Sequence, residues 1–95
     1  MISARMKRRI KHELTNEKPT IWIGKEGTTV QIVKEIDRQL EIREMVKIRI
    51  LKTALKDEEA ENLSLKVAEQ TGAILVEVRG HTFMLYRHRK HKLKK

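Results

Sequence analysis

The sequence predicts an α/β domain in which a four-stranded mixed sheet is packed with helices. Three observations predict it. Apolar residues recur with a helical period and then with a period of two, switching along the chain in the order α-β-α-β-α-β-β. Two consecutive β-α-β units imply parallel strands joined by right-handed crossovers. A short turn at Gly80-His81 then makes the last two strands antiparallel neighbours.

Each element has its own signature. Residues 3–14 read as a helix, because Met6, Ile10 and Leu14 form a stripe at i, i+4 and i+8, with basic side chains filling most of the rest and Ser3 as N-cap. Pro19 and the residue before it resist helix and end that pattern. Residues 20–23 make a short strand, with Ile21 and Ile23 on one face and Thr20 and Trp22 on the other. Thr28 and Thr29 are N-cap candidates for a helix to about Arg43, whose expected core face is Val30, Val33, Ile36 or Asp37, and Leu40. Residues 45–51 alternate strictly, Val46, Ile48 and Ile50 one way and Lys47 and Arg49 the other, which is a half-buried strand. Residues 57–71 form a third helix, capped by Asp57, stopped by Gly72 and lined inside by Ala60, Leu63, Val67 and Thr71. Strands at 73–79, with Ile74, Val76 and Val78 inward, and at 82–87 complete the sheet. The polar positions of the second strand leave part of one sheet face shallowly covered or open.

Composition bounds the function. The chain has 95 residues, 22 Lys plus Arg, 13 Asp plus Glu and no Cys, for a formal charge of +9. That length suits one domain, expected over residues 1–87 with a basic tail at 88–95. Zero Cys excludes disulfides and thiolate metal sites. No apolar run approaches the ~20 residues of a membrane span, and the basic start lacks the apolar stretch of a secretory signal, so a cytoplasmic location is expected. The charge is concentrated. Residues 1–11 hold five Lys/Arg and residues 87–95 hold six, both without acid, whereas residues 12–86 carry 11 bases and 13 acids. Charge gathered at two ends points to a polyanion partner. Solvated basic tails are the plain alternative.

The best candidate for chemistry is the turn Gly24-Lys25-Glu26-Gly27 between a strand and a helix start. Glycines let backbone approach a phosphate closely, the helix start offers amides, Thr28 and Thr29 add hydroxyls and Lys25 adds charge. Glu26 counts against an anion unless it points away. Two glycines in a tight strand-to-helix turn also occur for geometry alone. The spacing is neither a nucleotide P-loop nor a dinucleotide-binding fingerprint. Gly80 supplies the hairpin turn, around which Arg79, His81, Arg87 and Arg89 make a basic edge. Phe83 is a core residue, Trp22 is read as structural, and Tyr86, opposite Phe83 and Leu85, is a candidate base contact. His88 and His91 have neither Cys nor a neighbouring acid, so no metal is expected, and the carboxylates from Asp57 to Glu61 are explained by a helix N-terminus. Ser3 and Ser64 lack a nucleophile elbow or a base, so the chain is not read as an enzyme.

An ordered set of segments carries a family resemblance. These are the basic first helix, Ile21-Trp22-Ile23-Gly24-Lys25-Glu26-Gly27-Thr28-Thr29, Glu44-Met45-Val46-Lys47-Ile48-Arg49, Gln70-Thr71-Gly72-Ala73, and Val78-Arg79-Gly80-His81-Thr82-Phe83-Met84-Leu85-Tyr86-Arg87. Over nearly its whole length the chain resembles the CRM domain (chloroplast RNA splicing and ribosome maturation) in its stand-alone, YhbY-like form. The resemblance implies a fold like the C-terminal domain of translation initiation factor 3, with a loosely KH-like loop. It also implies an RNA-binding module without cofactor or small-molecule substrate. Single-domain members are associated with large-subunit ribosome precursors, multi-domain plant members with group II intron splicing, and the absence of an appended domain favours the former here. RNA backbone is then expected at Gly24, Lys25, Glu26, Gly27, Thr28 and Thr29, flanked by Arg5, Arg8 and Arg9 of the first helix and by Arg79, His81, Tyr86, Arg87 and Arg89. A monomer is expected. A DNA-binding, nucleoid-type protein and an interaction module for an acidic protein are the alternatives that the charge pattern leaves open.

Overall fold

The computed structural model describes residues 2–55 and 59–88. In chain order its elements are α1 (Ala4–Thr15), β1 (Ile21–Ile23), α2 (Val30–Arg43), β2 (Met45–Ile50), α3 (Lys52–Leu55), α4 (Ala60–Thr71), β3 (Ile74–Arg79) and β4 (Thr82–Tyr86). The sheet order is β1-β2-β4-β3, with β1 parallel to β2 and β4 antiparallel to both its neighbours. β3 therefore runs in the direction of β1 and β2 but is separated from β2 by β4. This is the expected four-stranded mixed sheet, with the one-turn α3 as an element that the sequence pattern did not announce.

Local chemistry sets the boundaries. Ser3 caps α1 by accepting the Met6 amide at 3.1 Å, and Thr29 caps α2 by accepting the Ile32 amide at 3.2 Å. α2 ends at Glu44, a non-glycine residue in the left-handed region (φ 68°), whose amide returns to the Leu40 carbonyl at 2.8 Å. α4 ends at Gly72 with φ 65°, and the Ala73 amide reaches back to the Ala68 carbonyl at 2.8 Å. The expected cap Asp57 lies outside the described residues. The described helix opens at Ala60 instead, with Glu59 in the cap position and no side-chain bond to it.

Both sheet faces are used, unequally. On one face α2 and α4 enclose the main core of Ile21, Ile23, Ile36, Leu40, Val46, Ile48, Ile50, Leu63, Val67, Phe83 and Leu85. On the other face α1 alone sets Ile10 and Leu14 against Val76, Met84 and Tyr86. Each fully buried aliphatic side chain contributes about 1.5–3 kcal/mol.

Two expected faces are corrected. Val30 does not line the core of α2 but is 68% exposed, and the inner stripe is Ile32, Ile36 and Leu40. The helix starts only at Val30, and a spacing of i, i+4, i+8 satisfies its period as well as the assumed one. In β3, a register irregularity between Leu75 and Glu77 breaks the alternation. Leu75 and Val78 join the main core, whereas Ile74 and Val76 lie under α1. An extra residue in one strand of a pair exchanges the faces beyond it.

Candidate nucleic-acid interface

The glycine turn is tightly built. The Gly27 amide donates to the Gly24 carbonyl at 2.8 Å, closing a four-residue turn with Lys25 and Glu26 exposed at its tip. Gly27 has φ +74°, and a Cβ there would meet nothing within 4 Å. Its glycine is needed for conformation rather than for space. Thr29 is committed twice, its hydroxyl to the Ile32 amide and its carbonyl to the Val33 amide at 3.0 Å. The anion-facing donors expected of this turn are thereby narrowed, since the Gly27 and Ile32 amides and the Thr29 hydroxyl already have partners. Among the described hydrogen bonds, the Lys25 and Glu26 amides at the tip have none.

The turn shares its end of the sheet with two other segments. The Leu51 amide donates to the Ile23 carbonyl at 2.9 Å, and the Ile50 amide to the His81 carbonyl at 2.6 Å. The turn at 24–27, the start of α3 and the Gly80-His81 hairpin therefore lie at one end of the sheet, with His81 next to the end of β2 and Arg79 on the edge strand opposite β1. The end of β4 lies at the opposite end of the sheet. Tyr86 pairs with Met45 at the start of β2, and the Arg87 amide donates to the Glu44 carbonyl at 3.0 Å. The start of α1 is at that far end too, where Ile2, Ser3 and Met6 share a shallow hollow with Ile74, Tyr86 and His88. The start of α1 and the end of β4 thus lie at the same end of the sheet, and α1 extends from there along the face.

Two candidate RNA contacts are placed out of reach. Tyr86 is 7% exposed, packed among Ile10, Leu14 and Val76 beneath α1. Arg87 is 6% exposed and works as an internal clamp. Its Nη1 donates to Asp37 and to the Thr71 carbonyl (2.7 Å), and its Nη2 to the Asp37 carbonyl (3.2 Å) and Glu41 Oε2 (3.1 Å). It ties the end of β4 to α2 and α4. Arg89 and His91 lie outside the described residues.

The side of the sheet that carries α1 is rich in uncompensated charge. Arg5, Lys7 and Arg8 project from α1 with no ion pair among the described residues, and Arg9 has only the loose, exposed Glu13 at 3.6 Å. α1 ends at Thr15, which shares a hollow with Lys47, Glu77, Arg79, Thr82 and Met84. Beyond it the face opens toward Arg49 and Trp22, and Trp22, Arg49, Thr82 and Arg79 form one cross-strand row. Trp22, read as structural from the sequence, is 52% exposed. Arg49 was legible as outward-facing from the alternation of β2, yet was not singled out. Lys47, on the same face, does a different job. Its Nζ donates to the carbonyls of Leu14 (2.9 Å), Thr15 (3.2 Å) and Glu17 (2.9 Å), and so caps the end of α1.

Perturbed acids lie on α2 and the α1–β1 connection. The Arg43 guanidinium, in a two-point pair with Glu17, holds that carboxyl below the ordinary value of 4.5. Glu35, hydrogen-bonded by Arg38 and then Gln39, is lowered to about 2. Both stay ionised at neutral pH as partners of arginines. Among the described residues there is no cluster of three or more metal-ligating side chains, and no helix is long and apolar enough to cross a membrane.

The chain is 35% identical over 88 residues to the probable RNA-binding protein MJ0652 of Methanocaldococcus jannaschii, covering 93% of this chain and 65% of that protein. It is 26% identical over 90 residues to the probable RNA-binding protein YqeI of Bacillus subtilis, covering 95% of this chain and 92% of that one. The solution structure of SAV1595 from Staphylococcus aureus, described as a hypothetical protein with a proposed RNA-binding role, matches with a TM-score of 0.73 and 32% identity over 100% of this chain and 95% of that one. The model of the CRS1 / YhbY (CRM) domain matches residues 2–87, and the chain belongs to that family.

Proposed function

We propose that the chain is a non-enzymatic RNA-binding protein that acts on ribosomal RNA, or on precursors of the large ribosomal subunit, during ribosome assembly. The observation that carries the RNA reading is the one-sided distribution of free cations. Arg5, Lys7 and Arg8 of α1 and Arg49 of β2 share one side of the sheet without counter-ions among the described residues. The turn with Lys25 at its tip stands at the end of that side. Phosphate backbone contacts Gly24, Lys25, Glu26, Gly27 and Thr28 at the turn, Arg5, Arg8 and Arg9 along α1, and Arg79 and His81 at the hairpin. Thr29 acts as the cap that fixes the turn. The names of the relatives support RNA as the ligand, and the resemblance to stand-alone family members supports the ribosomal setting.

Binding of structured RNA should weaken steeply with salt. Five neutralised phosphates correspond to a loss of affinity of roughly 100- to 500-fold between roughly 50 and 200 mM monovalent salt. A titration that is flat over that range would overturn the phosphate-contact mechanism. The variant Lys25→Glu should lower RNA affinity while leaving the folded structure in place by circular dichroism. Crosslinking in cells followed by RNA sequencing tests the ribosomal part. Reads concentrated on large-subunit ribosomal RNA are expected, and reads dominated by messenger RNA or introns would overturn it.

A further inference from the structure

The open part of the α1 side holds one arrangement that phosphate binding at the turn does not use. Trp22 pairs in register with Arg49, Arg49 with Thr82, and Thr82 with Arg79. The row crosses all four strands, about 14 Å at the usual strand spacing. Trp22 is 52% exposed, and Arg49 is exposed with no ion pair among the described residues. Arg79 has only Glu77 at 3.2 Å, and its side chain is 77% exposed. A large aromatic side chain left half-exposed on the edge strand, beside a cation, needs a reason. Trp22 is also two residues before Gly24, so the row begins just before the glycine turn.

We propose that this row is a stacking platform for the bases of single-stranded RNA, with Trp22 as the ring and Arg49 and Arg79 holding the flanking phosphates. The proposal rests on the RNA-binding reading above and deepens it by naming the strandedness of the ligand. The physical reasoning is direct. A base has an apolar face that an exposed indole covers, and its backbone carries the negative charge that Arg49 lacks as a partner and Arg79 has only in Glu77. Four-stranded sheets with exposed aromatics accommodate two or three splayed bases in this way. Paired bases in a duplex are already stacked on one another and offer Trp22 no face, so a duplex engages only the cations. Lys47 takes no part, since its ammonium group is occupied by the carbonyls at the end of α1.

Trp22 is the sole tryptophan of the chain, so its fluorescence reports on the platform alone. The full chain is titrated with a short oligouridine and with an RNA duplex of the same length. Oligouridine should quench the tryptophan emission, whereas the duplex should bind with little quenching. Trp22→Ala should weaken oligouridine binding by roughly five- to a hundredfold, the range for loss of one base–aromatic stack. Trp22→Phe should restore most of that loss, and duplex affinity should be the same in all three proteins. An unchanged melting transition for Trp22→Ala is expected from its exposure, which separates binding from folding. If Trp22→Ala binds oligouridine as tightly as the parent, or if bound oligouridine leaves the emission unquenched, stacking is overturned. The row then serves another partner, such as a protein, while RNA binding through the turn and α1 survives. If neither RNA binds, both readings fail together.

Discussion

The two faces of the sheet use the same residue type for opposite ends. On the α2 side, arginines are bound into the fold. Arg87 is buried against Asp37, Glu41 and the Thr71 carbonyl, Arg43 grips Glu17, and Arg38 grips Glu35. On the α1 side, Arg5, Arg8 and Arg49 have no acid beside them among the described residues. An arginine that is paired and desolvated fixes one conformation, and its removal is felt in stability. An arginine held in water without a partner adds little to the fold and is available to a polyanion. The net charge of +9 is therefore less informative than the pairing of its components.

The strongest way to break this contrast is Arg87→Met. It removes four hydrogen bonds, among them those to the carbonyl of Thr71, a buried residue, and to Asp37 and Glu41. Loss of one partner of a buried pair costs about 3–5 kcal/mol, and the partial exposure of Asp37 and Glu41 lowers the expectation here to about 2–3 kcal/mol. That corresponds to a fall in melting temperature of roughly 10–20 °C for a domain of this size. RNA affinity of the folded fraction should not change. If Arg87→Met kept its stability and lost RNA binding, the clamp and the interface would have been assigned to the wrong faces.

Lys47→Met should have a smaller effect on stability. It strips three donors from the carbonyls of residues 14, 15 and 17, at about 1–2 kcal/mol in total for partly hydrated acceptors. Lys47 lies on the cation-rich side but behaves as a fold residue, so the sharper form of the contrast is pairing rather than side. The complementary variant Arg5→Ala/Arg8→Ala should shift unfolding by less than about 0.5 kcal/mol for each exposed site. It should lower RNA affinity and reduce the salt slope by roughly 1.4–1.8, or 0.7–0.9 per lost phosphate contact.

Trp22 and Tyr86 show how much of this was legible beforehand. Period-two alternation put both residues on the face opposite Ile21, Ile23, Phe83 and Leu85, and that parity is correct. It does not say whether the second face is covered. α1 docks over the Tyr86 end through Ile10 and Leu14 and stops at Thr15, so Tyr86 is buried and Trp22 is open. The difference between the two aromatics arises from where a helix distant in sequence comes to rest, and no local pattern encodes that. The same holds for Arg87, whose acids lie 46 and 50 residues away in sequence. Strand parity, the caps at Ser3 and Thr29 and the stop at Gly72 were legible because each depends on neighbours within a few residues. The bulge in β3 was not, since Ile74, Val76 and Val78 satisfy a regular alternation equally well.

The Glu17–Arg43 pair gives the smallest and most pH-specific expectation. It joins the connection after α1 to the end of α2 through two contacts of 3.0 and 2.8 Å. Folding lowers the Glu17 pKa below 4.5, chiefly by the hydrogen bonds from Arg43. The folded state thus binds the proton less tightly than the unfolded chain does. The pair's stabilisation is complete above the unfolded value and disappears as the pH falls through the lower, folded one. Both side chains are more than a third exposed, so solvent screening limits the contribution to at most about 1 kcal/mol. Denaturant unfolding of the parent and of Glu17→Gln, compared across pH, should show a constant gap above about pH 5 that closes as the pH drops through the acid range. A gap that persisted unchanged below the folded pKa would mean that Glu17 stabilises the connection by packing rather than by charge.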